Sequence, residues 1–308
     1  MSAPATDARA ERAARCRLCG GELRFEFVAS DRNRGLGREH FRYFRCRSCR
    51  CVLQPEVPAS LARHYAPHGY GSASEGVAPE LVRREEAKLD LMRPYASAGR
   101  LVEIGPGPGL FTRAALAAGF EPTVVEMDPD YCAELRALGG VEVLESSDPA
   151  GALVGLEPAA AIVMWHVIEH LDEPWVVLRS CVAKLRPGGV LAISTPNPES
   201  LQFRLLGRYW AHVDAPRHLQ LLPARTLSKG LGELGMRHVL TTTTDPVGVE
   251  CNRLGWEYVL RRFPASRPAG ALTLSASRLI AAASWPVERR DLQGAAYTSL
   301  FLLDHGEY

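Results

Sequence analysis

Four cysteines stand in two pairs of equal spacing: Cys16 and Cys19 in "CRLCGG", Cys46 and Cys49 in "FRCRSCRC". A two-residue gap lets one tight turn aim both sulfurs at one metal, and four thiolates complete a closed tetrahedral zinc site. The 26 residues between the pairs hold two alternating runs, "ELRFEFVAS" and "EHFRYFRC", around "DRNRGLG", so a hairpin fills the gap. The predicted module is a zinc ribbon over residues 14–55, with a metal-free cluster of reduced thiols as the alternative. Arg50 and Cys51 follow the second pair where a glycine would ease the turn, which leaves Cys51 open as a substitute ligand. So small a segment has little core of its own, and the metal would supply its stability. Cys132, Cys181 and Cys251 are isolated and read as core residues.

A second set of residues points to a bound nucleoside. In "LVEIGPGPGLF" three glycines, Gly105, Gly107 and Gly109, follow a short apolar strand and open a helix. Missing Cβ atoms let a ligand lie against the backbone, and the helix N-terminus can receive an anionic group. Glu126 ends the next strand, "TVVE", 21 residues after Gly105, where an acidic side chain is placed to bond ribose hydroxyls. A dinucleotide fingerprint would need its third glycine where Leu110 stands.

His166, Glu169 and His170 spell HxxEH, the metalloprotease pattern of the inverzincins. That chemistry needs both histidines on one helix. Here the strand "AAIVMW" runs directly into His166, so the first histidine falls in a strand-end loop and the protease reading is set aside. His166 is the site candidate of the two, and His170 can equally be a helix-start residue.

These residues need a scaffold. The chain has 308 residues, enough for one large domain and a small one, with 46% hydrophobic and 23% charged residues. A formal net charge of +1 gives no argument for nucleic acid or a membrane surface. The first residues, "MSAPATDARAERAARC", show no apolar signal-peptide core, and "GALTLSASRLIAAASW" is too short to span a bilayer. The expected location is cytoplasmic, where thiols stay reduced. Residues 56–80 are rich in Pro, Gly, Ser and Ala and read as a linker or loose lid. From "ELVRREEAKLDLMRPYA" onward, short apolar strands alternate with helical stretches for about 100 residues, the pattern of a parallel sheet covered on both faces.

The compact GxGxG after a strand bearing Glu103 resembles motif I of the class I S-adenosylmethionine-dependent methyltransferases. "VVEMDPD" is similar to their motif II, "AAIVMWHVIEHLDEP" to their fourth strand and following loop, and "LRPGGVLAISTPN" to their fifth strand. The stretch "LLGRYWAHVDAPRHLQLLPARTLSKGLGELGM" resembles the acceptor side of the branch related to ubiquinone-biosynthesis and sugar methyltransferases. A cysteine-paired N-terminal module also resembles that of sugar C-methyltransferases.

The resemblance covers most of residues 81–245 and implies a Rossmann-like α/β fold: a seven-stranded, mostly parallel sheet with helices on both faces, plus the zinc ribbon. "HVLTTTT" and "AAYTSLFLL" would close the sheet as an antiparallel pair. The methyltransferase domain would run over 81–308 with a helical insertion at about 249–286, which could lid the acceptor pocket, form a homodimer face or rest on a membrane.

The implied cofactor is S-adenosyl-L-methionine, held by Glu103, Gly105, Gly107, Gly109, Glu126, Met127, Trp165 and His166, beside a structural zinc ion on Cys16, Cys19, Cys46 and Cys49. The implied acceptor is a small molecule, a biosynthetic metabolite of sugar- or polyketide-like kind. An ideal general base has a pKa near the working pH, which favours histidine. His218 in "DAPRHLQLL" follows the fifth strand, where acceptors enter this fold, and is the catalytic candidate with His166. A surface or helix-capping histidine is the plainer alternative for His218. Sugar C-methyltransferases carry a Glu-His pair there. This chain has Arg217 in the Glu position, which weakens carbon acidity, leaves O- or N-methylation open and would suit an anionic acceptor. Trp210, His212 and Asp214 stand near, and the linker residues Tyr65 and Tyr70 could fold over the cofactor. The second function class is an RNA- or protein-modifying methyltransferase, or a non-catalytic scaffold, using the arginine-rich module (Arg32, Arg34, Arg38, Arg42, Arg45, Arg47, Arg50) to bind its partner. Against nucleic acid, Phe25, Phe27, Phe41, Tyr43 and Phe44 alternate as a strand core would.

Overall fold

Short apolar runs separated by Gly- and Pro-bearing turns become strands, and 3.6-periodic stretches become helices. The computed structural model describes residues 15–65, 79–261 and 269–304, so Tyr70 and most of the linker lie outside the described residues. Three strands come first: β1 (Leu23–Ser30), β2 (His40–Cys46) and β3 (Val52–Leu53). Helix α1 (Pro79–Met92) precedes β4 (Gly99–Ile104), α2 (Leu110–Ala117), β5 (Phe120–Glu126), α3 (Pro129–Arg136), β6 (Glu142–Glu145) and α4 (Pro149–Leu153). Then follow β7 (Ala159–Trp165), α5 (Pro174–Lys184), β8 (Leu185–Pro196), α6 (Leu201–Leu206), β9 (Gln220–Leu221) and α7 (Ala224–Glu233). The chain closes with β10 (Met236–Thr242), α8 (Pro246–Arg261), α9 (Ala269–Glu288) and β11 (Ala296–Leu303).

Seven strands form one sheet in the order β10-β11-β8-β7-β4-β5-β6, as expected. The five from β4 to β8 run parallel, and β11 lies antiparallel between β8 and β10. The chain order reverses at β4, whose neighbours are β5 and β7, so the crevice beyond its carboxyl end is the switch point. β4 and β7 are almost wholly buried, as a sheet covered on both faces requires.

The second sheet joins the N-terminal hairpin to the body of the protein in the order β1-β2-β3-β9. β1 and β2 pair antiparallel as the alternation predicts, but the register shifts between Phe25 and Phe27. The bulge turns Phe25 out to 48% exposure, with Arg42 over its ring, while Phe27 stacks on buried Tyr43. So the alternating aromatics do not all enter the core. The core is also shared across the two sheets: Phe41, Tyr43 and Val52 pack with Phe203, Trp210, Leu221 and Ala296. Among the described residues, no helix is long and apolar enough to cross a membrane.

Candidate active site

The turn from β4 into α2 is a cradle. Gly105, Gly107 and Gly109 all have positive φ, at 65°, 52° and 73°. A Cβ on Gly105 would meet Val167 Cγ2 at 2.8 Å, whereas one on Gly107 would meet nothing within 4 Å. Backbone at Gly107 is therefore bare toward open space, the condition for a ligand to lie against it. Glu126, at the end of β5, closes one side. Its Oε2 accepts the Gly107 N–H at 3.0 Å, and its Oε1 accepts those of Met127 and Asp128 at 2.8 and 2.9 Å. The Met127 side chain is largely exposed beside it.

Glu103 is buried at the floor, where Thr112 Oγ1 donates to it at 2.6 Å. Burial pushes its carboxyl up to about 7, against the pull of Thr112 and the Lys88 charge. Lys88 on α1 reaches over the ring of Trp165 at 4.8 Å, and Phe111 packs on the same ring at 5.1 Å. The buried Nε1 of Trp165 has no hydrogen-bond partner, a donor left free at the rim of the cradle. These features fit an adenosyl cofactor: a bare backbone, an acid at ribose distance in sequence and a free buried donor.

The opposite wall holds four histidines. His166 follows β7, and His170 ends a short 3₁₀ turn, Ile168–His170, so the HxxEH residues do not share a helix. His166 Nδ1 lies 3.3 Å from Glu169 Oε1, and Thr195 Oγ1 donates to Glu169 Oε2 at 3.0 Å. Burial opposes ionisation of Glu169, but His166 outweighs it and holds the carboxyl at about 2.

His170 and His218 meet edge to face with ring centres 4.7 Å apart. His218 Nδ1 donates to the His212 carbonyl at 2.8 Å, and His170 Nδ1 lies 3.1 Å from the Arg217 carbonyl and 3.1 Å from Tyr65 Oη. A carbonyl can only accept, so each of these two rings carries a proton on Nδ1, and His218 Nε2 lies 3.9 Å from Asp214 Oδ2. Burial, helped by the neighbouring His218, pushes His170 down to about 4, and burial does the same to His212. Both are neutral near pH 7.

Arg217 has a different place from the one its sequence position suggested. Its side chain is fully buried. Nε and one Nη donate to Asp214 at 2.9 and 2.6 Å, and the Nη pair donates to Asp31 at 3.1 and 2.9 Å. The His64 carbonyl takes the last N–H at 2.9 Å. All five donors are used, so Arg217 has none left for an anionic acceptor. Asp31 and His64, which the sequence reading did not pick out, complete this network. No motif could have found them, since Asp31 is 186 residues from Arg217.

The paired cysteines converge. Cys16 and Cys49 sulfurs are 3.8 Å apart, those of Cys19 and Cys46 3.5 Å, and all four lie within 4.8 Å of one another. A zinc–sulfur bond of about 2.3 Å sets tetrahedral sulfurs about 3.8 Å apart, so the four thiols fit that ion. Cys51 is not in the group. Arg50 takes φ 64° in the turn where a glycine would be easier. Around this knuckle the module grips the histidine wall. Arg17 donates to the Asp172 carbonyl and to Gln220, Tyr43 Oη donates to the His218 carbonyl at 2.9 Å, and Gln54 donates to the Pro216 carbonyl at 2.9 Å.

Comparison with known proteins identifies the family. The chain is 30% identical over 132 residues to the ubiquinone biosynthesis O-methyltransferase of Xanthomonas campestris pv. campestris (strain B100), covering 41% of this chain and 53% of that protein. It is 30% identical over 135 residues to the protein of the same name from Xylella fastidiosa (strain 9a5c), covering 42% and 53%. The chain thus spans about half the length of the curated relatives it matches. A phospholethanolamine N-methyltransferase 2 from Haemonchus contortus, solved with phosphomonomethylethanolamine and S-adenosylhomocysteine, superposes with TM-score 0.50 at 14% identity. That likeness covers 72% of this chain and 52% of the other and speaks to the fold alone. The family described as "Methyltransferase domain" matches residues 77–240, more than half of the chain, which therefore belongs to that family, in its class I S-adenosylmethionine-dependent form.

Proposed function

We propose that the protein transfers a methyl group from S-adenosyl-L-methionine to a small-molecule acceptor. The observation that carries the reading is the bare Gly107 backbone closed by the Glu126 carboxylate. When bound, the cofactor supplies a methyl group on a sulfonium, already a good leaving group. The protein's share is to align the acceptor, exclude water and take a proton. Gly105, Gly107 and Gly109 would hold the cofactor, and Glu126 would accept hydrogen bonds from its ribose hydroxyls. Glu103, Met127, Trp165 and His166 would complete the site that holds it. His218, its ring pinned by the His212 carbonyl at Nδ1 and with Nε2 3.9 Å from Asp214 Oδ2, takes the acceptor proton.

The names of the relatives support an oxygen acceptor, and the closed Arg217 network argues against a phosphate or carboxylate at that position. Zinc on Cys16, Cys19, Cys46 and Cys49 is structural in this reading, since four thiolates leave no open position for chemistry. The boundaries 14–55, 56–80 and 81–308 belong to the same proposal, with α8 and α9 lidding the acceptor side.

Calorimetry with S-adenosylhomocysteine tests the reading. Glu126→Ala is expected to weaken binding by about 1.5–3 kcal/mol, the range for hydrogen bonds to a charged group. His218→Ala should keep that affinity and lose about 10²–10⁴-fold in turnover. A protein that binds no S-adenosylhomocysteine at all would sink the proposal.

A further inference from the structure

His166 sits at φ 57°, left-handed backbone that few residues other than glycine adopt. Strain of this kind collects where a side chain must be aimed. The ring is aimed at three groups. Nδ1 faces Glu169 Oε1 at 3.3 Å, and Nε2 faces Ser194 Oγ at 3.4 Å and Cys251 Sγ at 3.9 Å. Glu169 is wholly buried, and its Oε1 has no hydrogen-bond partner beyond this ion-pair contact. A carboxylate so placed fixes the imidazole proton on Nδ1 and turns the Nε2 lone pair toward the thiol. Cys251 comes from α8 and is mostly buried, with 8% of its surface exposed. It is 85 residues from His166.

We propose that Cys251, His166 and Glu169 form a thiol–imidazole–carboxylate relay that makes Cys251 a nucleophilic cysteine, a site of covalent modification by small soft electrophiles such as hydroperoxides and alkylating agents. The Cys251 proton passes to His166 Nε2, and Glu169 stabilises the imidazolium. With hydrogen peroxide, the thiolate sulfur bonds to one oxygen, the O–O bond breaks, and the departing hydroxide takes the proton from His166 to become water. Sulfur is oxidised to sulfenic acid and the peroxide is reduced. With an alkyl halide, a carbon–sulfur bond forms and halide leaves with its electron pair.

The local charges agree with this geometry. Burial lowers the proton affinity of His166, but the Cys251 sulfur and the Glu169 carboxylate outweigh it and hold the imidazole above its ordinary range. The other titratable groups about the ring are His212 and Asp245, and His170 and His218 face Glu169. His212, pushed low, stays neutral and does not compete for the thiolate. His212 Nε2 lies 3.2 Å from the Cys251 carbonyl, so an adduct on this cysteine stands beside the histidine wall.

Timed labelling with iodoacetamide, read cysteine by cysteine by peptide mass spectrometry, tests the relay without any use of methyl transfer. In the urea-unfolded chain Cys251 is a free thiol with pKa about 8.5, so its rate falls about tenfold per pH unit below that. In the native protein the Cys251 rate should change less than about threefold between pH 6 and 8 and should exceed the unfolded rate at pH 6. His166→Gln should lower the native rate at pH 6 by about tenfold or more. Cys181, wholly buried in the core, should stay unlabelled and reports that the variant is folded. If the variant does not fold, the wild-type pH profile decides alone. A native Cys251 that resists labelling, follows the free-thiol profile, or keeps its rate in His166→Gln overturns the proposal.

Discussion

Glu103 is the buried acid beneath the glycine turn. Burial raises its carboxyl to about 7, so near neutrality it is half protonated in the folded protein. Its unfolded value is near 4.3, so folded-state stability falls as pH rises between those two values, where the unfolded chain has already released the proton. A cationic ligand end beside it reverses the preference, because the charged carboxylate is then the favoured form. S-adenosylhomocysteine, which carries an ammonium, should therefore bind more tightly as pH rises from 6 to 8, by about tenfold for a group titrating at 7. Glu103→Gln should remove this slope, and calorimetry at three pH values reads it. A slope that survives the substitution assigns the proton elsewhere. The cradle residues were legible in the sequence because they lie within one strand–turn–helix unit, where spacing alone fixes geometry. Arg217 was misjudged for the opposite reason: its partner Asp31 is 186 residues away. Cys251, read as a core residue, does lie in the core, but its contact with His166, 85 residues away, leaves no trace in the sequence.

At the scale of elements, the loop that presents His218 is held from both sides. β9 gives it one edge, pairing Leu221 with Val52 and Gln220 with Leu53 of the hairpin sheet. The Asp31–Arg217–Asp214 network gives it the other. Burial alone would raise the Asp31 carboxyl, but hydrogen bonds from Arg217 and His64 overcome this and hold it well below the usual carboxylate range. A depressed carboxylate contributes stability above its unfolded pKa of about 3.9, and that contribution is lost as pH falls below it. Asp31→Asn leaves a buried cation short of one charge and should cost about 3–5 kcal/mol at pH 7. The variant should also lose less on going from pH 5 to 3 than the wild type does. Denaturant titrations at the three pH values measure both effects, and equal stabilities at pH 7 would show that the pair contributes nothing. The hairpin itself was readable from period-two alternation, and the seven strands from their alternation with helices. The bulge at Phe25 and the two-residue strand β9 were not, since a single inserted residue and a pairing of two residues leave no periodic trace.

For the whole molecule, the question is what the N-terminal module does for the catalytic fold that follows it in the chain. Residues 15–54 hold ten arginines against four acids, in a chain whose formal net charge is +1. Such a segment repels itself, and four thiolates around a divalent ion both cross-link it and carry a net charge of about −2 that balances it. The same residues reach across to the acceptor wall. Thr226 Oγ1 donates to the Cys49 carbonyl at 2.6 Å, Arg17 grips Gln220, and Gln220 Nε2 donates to the Ile168 and Leu171 carbonyls at 2.7 and 2.8 Å. One continuous path of hydrogen bonds thus runs from the cysteine knuckle to the loop bearing Glu169 and His170. The cofactor cradle lies outside this path, on β4 and β5. With zinc on the four thiols, as proposed, stripping it with a chelator should therefore loosen more than the hairpin. Hydrogen exchange should speed up in β1 to β3, in Gln220–Leu221 and in residues 168–172, while β4 and α2 keep their protection. Turnover should be lost, yet S-adenosylhomocysteine affinity should stay within about twofold, because binding tracks the cradle and chemistry tracks the wall. Exchange that changes only before residue 54, with turnover intact, would make the module a passive appendage. Loss of protection in β4 as well would mean that the cradle and the wall share one cooperative unit, and the separation of binding from chemistry argued here would fail.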